Sequence, residues 1–211
     1  MTQRSNALLA EAMHEKTLVR FSTPYEECLI EGYVLDIGPR YFLLGNVDDN
    51  VKFNGFQCMR LSDVRRLCVP APYADFIVAA LRKRGETIRR KPRINPNSLP
   101  ELLTSANRLF PLVTIHQQRL KPDVCEIGRV TGISKSHLSL LEIGPDALWE
   151  EEPTVIRLRE ITRVDFGGDY EEALHMVGGS PDLSRWKPRK QRSPRTGTAP
   201  AAIPAPKPPR S

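Results

Sequence analysis

Val124 to Leu174 reads VCEIGRVTGISKSHLSLLEIGPDALWEEEPTVIRLREITRVDFGGDYEEAL, and its pattern decides the fold. Apolar residues recur at Ile127, Val130 and Ile133, then at Leu138, Leu140 and Ile143, with Gly132, Ser134, Gly144, Pro145 and Asp146 as turn formers between them. Short apolar runs punctuated in this way predict a meander of half-buried strands. Val155–Leu158 and Thr162–Phe166 add two more strands, joined by Arg159, Glu160 and Ile161. With Leu112–Gln118 ahead of them, five short strands closing on themselves predict a small barrel.

The stretch occurs twice. Gly32-x-Val34-x-x-Ile37 returns as Gly128-x-Val130-x-x-Ile133 at an offset of 96. Arg60-Leu61-x-x-Val64-x-Arg66 returns as Arg157-Leu158-x-x-Ile161-x-Arg163 at an offset of 97, and Tyr73 matches Tyr170. Arginine, glycine and tyrosine at near-constant offset indicate an internal repeat, which has to be found before any fold is assigned.

Taken in order, Ser5 caps a helix through Lys16, with Leu8, Leu9, Ala12 and Met13 on one face. Strands follow at Leu18–Phe21, Cys28–Ile37, Tyr41–Val47, Phe56–Leu61 and Arg65–Val69, before Pro70 and Pro72 stop the pattern. Ala74–Arg84 is predicted as a short amphipathic helix with Phe76, Ile77, Ala80 and Leu81 inward. Residues 85–97 are basic and proline-containing, the composition of an exposed linker. Ser98 and Glu101 form a capping-box signature for a second leading helix, which ends at Pro111. The expected organisation is a first unit at 1–84, a basic linker at 85–97, a second unit at 98–177 and a disordered tail at 178–211. The fold class is mainly β with flanking helices: two tandem five-stranded barrels, each preceded by a helix. The tail is rich in Pro, Ala, Arg and Lys and cannot bury enough apolar surface to offset its ordering entropy.

At 211 residues the chain has room for one or two domains. No run approaches the ~18 apolar residues of a membrane span, and the first residues carry no secretory pattern, so a soluble cytoplasmic protein with no membrane partner is expected. Cys28, Cys58, Cys68 and Cys125 lack C-x-x-C spacing and are expected as buried reduced thiols. The net charge of +6 is unevenly spread: 178–211 holds eight Lys/Arg and one acid, and 82–93 holds seven Lys/Arg and one acid. Those segments carry +7 and +6, which leaves the rest of the chain at −7.

A leading helix followed by five short strands, the last two joined by a three-residue turn, resembles the Sm-like small-barrel family, which includes Sm and LSm proteins and bacterial Hfq. The resemblance covers both repeats. The family's first motif is matched at Gly32, Val34 and Ile37 and at Gly128, Val130 and Ile133. Its aspartate position holds Gly38 or Ser134, and its asparagine position Phe42 or Leu138. Its second motif stands as Met59-Arg60-Leu61 and Ile156-Arg157-Leu158. In that family the asparagine and arginine hold a single-stranded base, which needs an amide and a cation beside a π-face. This chain keeps the arginine and lacks the amide in both copies. The resemblance implies RNA contact at Arg60 and Arg157; the alternative, which the sequence favours, is an ion pair with a carboxylate such as Asp63 or Glu160.

No nucleophile–base pair, phosphate loop or metal-ligand spacing is visible around His14, His116, His137 and His175, so no catalytic residue, metal or cofactor is expected and the chain is read as a non-enzyme. The expected function is RNA or single-stranded nucleic-acid binding through the basic linker and tail. Arg82, Lys83, Arg84, Arg89, Arg90, Lys91 and Arg93, with Arg185, Lys187, Arg189, Lys190, Arg192 and Arg195, supply phosphate contacts beside Arg60 and Arg157. The alternative is a protein-interaction or scaffolding module that self-associates through its barrel edge strands. Pro206-Lys-Pro-Pro209-Arg210 also has the form of a polyproline ligand.

Overall fold

The computed structural model describes residues 3–25, 29–87 and 91–186. The first half contains α1 (Gln3–Glu15), β1 (Leu18–Ser22), β2 (Ile30–Ile37), β3 (Tyr41–Val47), β4 (Phe53–Arg60), β5 (Arg65–Cys68) and α2 (Ala74–Lys83). The second contains α3 (Leu99–Leu109), β6 (Val113–His116), β7 (Cys125–Ile133), β8 (His137–Glu142), β9 (Thr154–Arg157), β10 (Arg163–Phe166) and α4 (Asp169–Gly178).

The halves repeat at the level of single hydrogen bonds. A bulge interrupts β2–β3 between Val34 and Asp36, and another interrupts β7–β8 between Val130 and Gly132. A one-turn 3-10 helix follows β4 at Leu61–Asp63 and follows β9 at Leu158–Glu160. Leu61 N–H donates to Arg40 O, and Leu158 N–H donates to Ser136 O, each at 2.9 Å. Gly32 and Gly128 are glycines for one reason: a Cβ there would stand 2.3 Å from Gly45 O or 2.1 Å from Leu141 O.

The ten strands form one antiparallel sheet in the order β5-β1-β2-β3-β4-β10-β6-β7-β8-β9. This corrects the expectation of two separately closed barrels, because the sheet is continuous and open. The 3-10 turn after β4 carries β5 across to β1, so β4 keeps a free edge, and β10 takes it with Met59 opposite Arg163 and Phe56 opposite Phe166. A period of two tells which face a residue occupies but not which strand lies beside it.

The core follows the sheet. In the first half Leu9 and Ala12 of α1 cover Val19, Phe21, Val34, Phe42, Leu44 and Met59. In the second, Leu99, Leu102, Leu103 and Ala106 of α3 cover Val130, Leu138, Leu140 and Ile156, and the same cluster continues into Tyr41, Leu43, Phe56 and Cys58. Those four come from β3 and β4, so one core crosses the join. Phe166 stacks on Phe56 at 5.9 Å and meets Phe110 at 5.0 Å. The helices α2 and α4 close smaller clusters through Ile77 and Leu81 and through Leu174. Phe76, expected inward, is 66% exposed. Ile77 and Leu81 are the buried residues of α2, with Ala74 packed beside them.

Cys58 is buried, and burial pushes its thiol well above the ordinary value. Cys68 and Cys125 are exposed free thiols, contrary to expectation, and Cys28 lies outside the described residues. Among the described residues no helix is long and apolar enough to cross a membrane. Of the segment 178–211, residues up to 186 are described: Gly178 ends α4, and Leu183–Trp186 forms a 3-10 turn.

Candidate nucleic-acid interface

A cavity of about 780 Å³ opens where the two halves meet. In each half the turn before the third strand is tied by one backbone bond to the turn after the fourth, and the cavity lies between the two tied pairs. Pro39, Arg40 and Tyr41 face it from the first turn of the first half, and Arg60, Leu61 and Ser62 from the second. Lys135, Leu158 and Arg159 are the counterparts from the second half, with Asn6 of α1 and Ser98, Leu99 and Pro100 at the start of α3 completing the wall. Arg40, Arg60, Lys135 and Arg159 are its cations, and no carboxylate stands in its lining among the described residues. Arg40, Lys135 and Arg159 are exposed.

Arg60 locks this geometry. Its Nη2 donates to Arg159 O at 2.8 Å and to Ile161 O at 2.6 Å, so one guanidinium spans the join between the halves. The carboxylate partner anticipated from sequence is here a pair of backbone carbonyls. Arg157, the equivalent residue, does take the anticipated partner: its Nη1 meets Glu160 Oε1 at 3.2 Å.

The basic segment before α3 packs against β2 and the turn after it. Lys91 pairs with Asp36 at 2.7 Å, and a Cβ on Gly38 would stand 2.3 Å from Pro96 O. Ile94 is 4% exposed and Pro96 is buried, so these two residues anchor a segment expected to be wholly exposed. Ser98 caps α3 by accepting from Glu101 N–H at 3.4 Å, and its hydroxyl donates to the Glu101 carboxylate at 3.0 Å. The expected return bond to the serine backbone is replaced by this hydroxyl bond. The chain thus delivers the capped N-terminus of α3 to the cavity, where Ser98, Leu99 and Pro100 line it.

The other predicted cations divide. Arg84 holds the carbonyls of Asn50 and Val51, the latter at 3.2 Å, and so closes the β3–β4 turn. Arg82, Lys83 and Arg93 are exposed. Arg185 lies on the last described turn, while Arg89, Arg90, Lys187, Arg189, Lys190, Arg192 and Arg195 fall outside the described residues. Sequence reading missed Arg40, Lys135 and Arg159. The repeat matches them to Ser136, Pro39 and Ser62, so only the turn-to-turn bonds of the fold bring them together.

On β6 and β10 the seam contains a polar cluster. His116 Nε2 and Arg163 Nε lie 3.0 and 3.1 Å from Asp165 Oδ2. Burial pushes the Asp165 carboxyl up, but the Arg163 guanidinium and His116 outweigh it and hold the group below its ordinary value. Comparison of the chain with protein families, with curated proteins and with solved structures finds no match.

Proposed function

We propose that this chain is a non-enzymatic RNA-binding protein of Sm-like character whose contact surface is the cleft between its two repeats. The observation that carries the reading is the convergence of Arg40, Arg60, Lys135 and Arg159 on one cavity without an acid in its lining. Four cations from four turns suit a chain of phosphates, and a cavity between turns suits a single strand better than a duplex. Arg82, Lys83 and Arg93, with the cations of the tail, add charge that follows the backbone without reading sequence. The shared bulge and shared 3-10 turn of the two halves support a duplicated unit, which is what the Sm-like reading builds on.

The test is binding of a labelled single-stranded RNA to the full chain between 50 and 200 mM salt. Four phosphate contacts on a single strand weaken binding about 50-fold over that range. Arg40→Ala, Lys135→Ala and Arg159→Ala should each lower the logarithmic salt slope by about 0.7. Undiminished binding by the triple variant overturns the cleft as the contact surface. Absence of binding at 50 mM overturns the RNA reading in favour of a protein-interaction module, for which the charge of −7 outside the two basic segments speaks.

A further inference from the structure

A second groove, of about 370 Å³, lies at the far end of the second half. Leu141 and Trp149 line it, and Glu150, Glu151 and Asp182 stand at its rim. Trp149 is held in place, because its Nε1 donates to Gly178 O at 3.0 Å. The neighbouring chain leaves apolar surface uncovered: Leu148 is 68% exposed, and Met176 and Val177 at the end of α4 are 82% and 77% exposed. Exposed apolar side chains beside an anchored tryptophan are the kind of surface that a partner covers.

We propose that the occupant is the chain's own segment 187–211. Ser180, Pro181 and Asp182 line the groove, and the described chain ends four residues later at Trp186, so the segment is tethered beside it. Those 25 residues contain seven Lys/Arg, no acid and seven prolines. Proline-rich chain fits an aromatic-lined groove because its polyproline II form loses little entropy on binding, and flanking cations pair with a carboxylate rim. Pro206-Lys-Pro-Pro209-Arg210 has both features in five residues. The tether raises the local concentration of the segment into the millimolar range, which lets a weak contact form within one molecule. This inference uses a different surface from the cleft but draws on the same tail cations as the RNA reading, so its test is made without RNA.

The test exploits the two tryptophans of the chain. In a Trp186→Phe background Trp149 is the single tryptophan, and the acrylamide quenching of its selectively excited emission is compared between the full chain and a chain ending at residue 186. At about 10 mM salt, where the Debye length is about 30 Å, the full chain should quench less than the truncated one. The difference should vanish at about 1 M salt, where that length is about 3 Å, and in the Glu150→Lys, Glu151→Lys variant. Both glutamates are exposed, so their replacement leaves the fold intact. Equal quenching of full and truncated chains at low salt overturns the proposal. Protection that grows with protein concentration also overturns it, by assigning the groove to the tail of a second copy.

Discussion

The inner strand β4 and the edge strand β9 occupy the same place in the two repeats, and only one of them has a second neighbour. Their registers agree: Leu43 lies opposite Cys58 as Ser139 lies opposite Val155, and Tyr41 opposite Arg60 as His137 opposite Arg157. The outward faces differ. At the seam they present Tyr41, Leu43, Phe56 and Cys58, all buried, whereas the equivalent positions at the open end are His137, Ser139, Pro153 and Val155, none of them buried. The helix that crosses the seam changes in step, with Leu99 of α3 corresponding to Asn6 of α1. The opposite edge is interrupted too, by a bulge in the β1–β5 pairing, and Arg65 fills the Ser62 and Val64 carbonyls at 2.7 and 2.9 Å. Backbone pairing is available at every edge, so apolar side chains on the outer face decide where the sheet continues. The edges that sequence reading offered for self-association lack the seam's apolar partners.

Three measurements can break this contrast. The largest effect is expected from Phe166→Ala, which removes a ring with no solvent exposure from the seam cluster and should cost about 3–5 kcal/mol in urea unfolding. Val155→Ala on the open edge, 65% exposed, should stay within about 0.5 kcal/mol. Similar losses at both sites would show that the seam is no more a core than the edge is.

The arginine pair sharpens the same point. Arg60→Ala strips two carbonyls of a charged donor and should lower stability by about 1–2 kcal/mol. Arg157→Ala loses an ion pair whose arginine side is 57% exposed and should change stability by less than about 0.5 kcal/mol. Thermal midpoints of the two variants, measured together, decide the matter, and a reversed order would refute the seam role of Arg60.

The last effect is a slope rather than a step. The Asp165 carboxyl is held below its ordinary value of about 3.9, so on acidification the unfolded chain takes up the proton first. Its contribution is complete above about pH 4 and is lost as pH falls through the lower folded value. Urea unfolding between about pH 4 and pH 2 should therefore show a shallower pH dependence in Asp165→Asn than in the natural chain. An unchanged slope would mean that the seam's polar cluster is not linked to folding.

Much of the strand pattern is legible in the sequence. Tyr41–Val47 was read to the residue, and the repeat offsets of 96 and 97 reappear in the bulges and the 3-10 turns. The β4–β10 pairing was not legible. Met59-Arg60-Leu61 and Ile156-Arg157-Leu158 carry one pattern, yet one strand is interior and the other is an edge. The difference lies in side chains of neighbouring strands that no single window contains. The cleft was legible only in part for a similar reason, since Arg40 and Arg159 are 119 residues apart and belong to turns without apolar periodicity. Phe76 was misplaced because helical spacing identifies a face but not how much of that face the sheet covers.

The seam has a consequence for synthesis. Arg163 leaves the ribosome 104 residues after Met59, its partner across the ladder, an interval of roughly 5–20 s at ordinary elongation rates. Through that interval β4 has no ladder partner on its outer side, and an unpaired edge is the condition in which sheet proteins mispair. Leu99 emerges only 39 residues after Arg60, and α3 packs in the same cluster as Phe56 and Cys58. The helix that later serves the second half is therefore placed to shield the first while the chain is still being made.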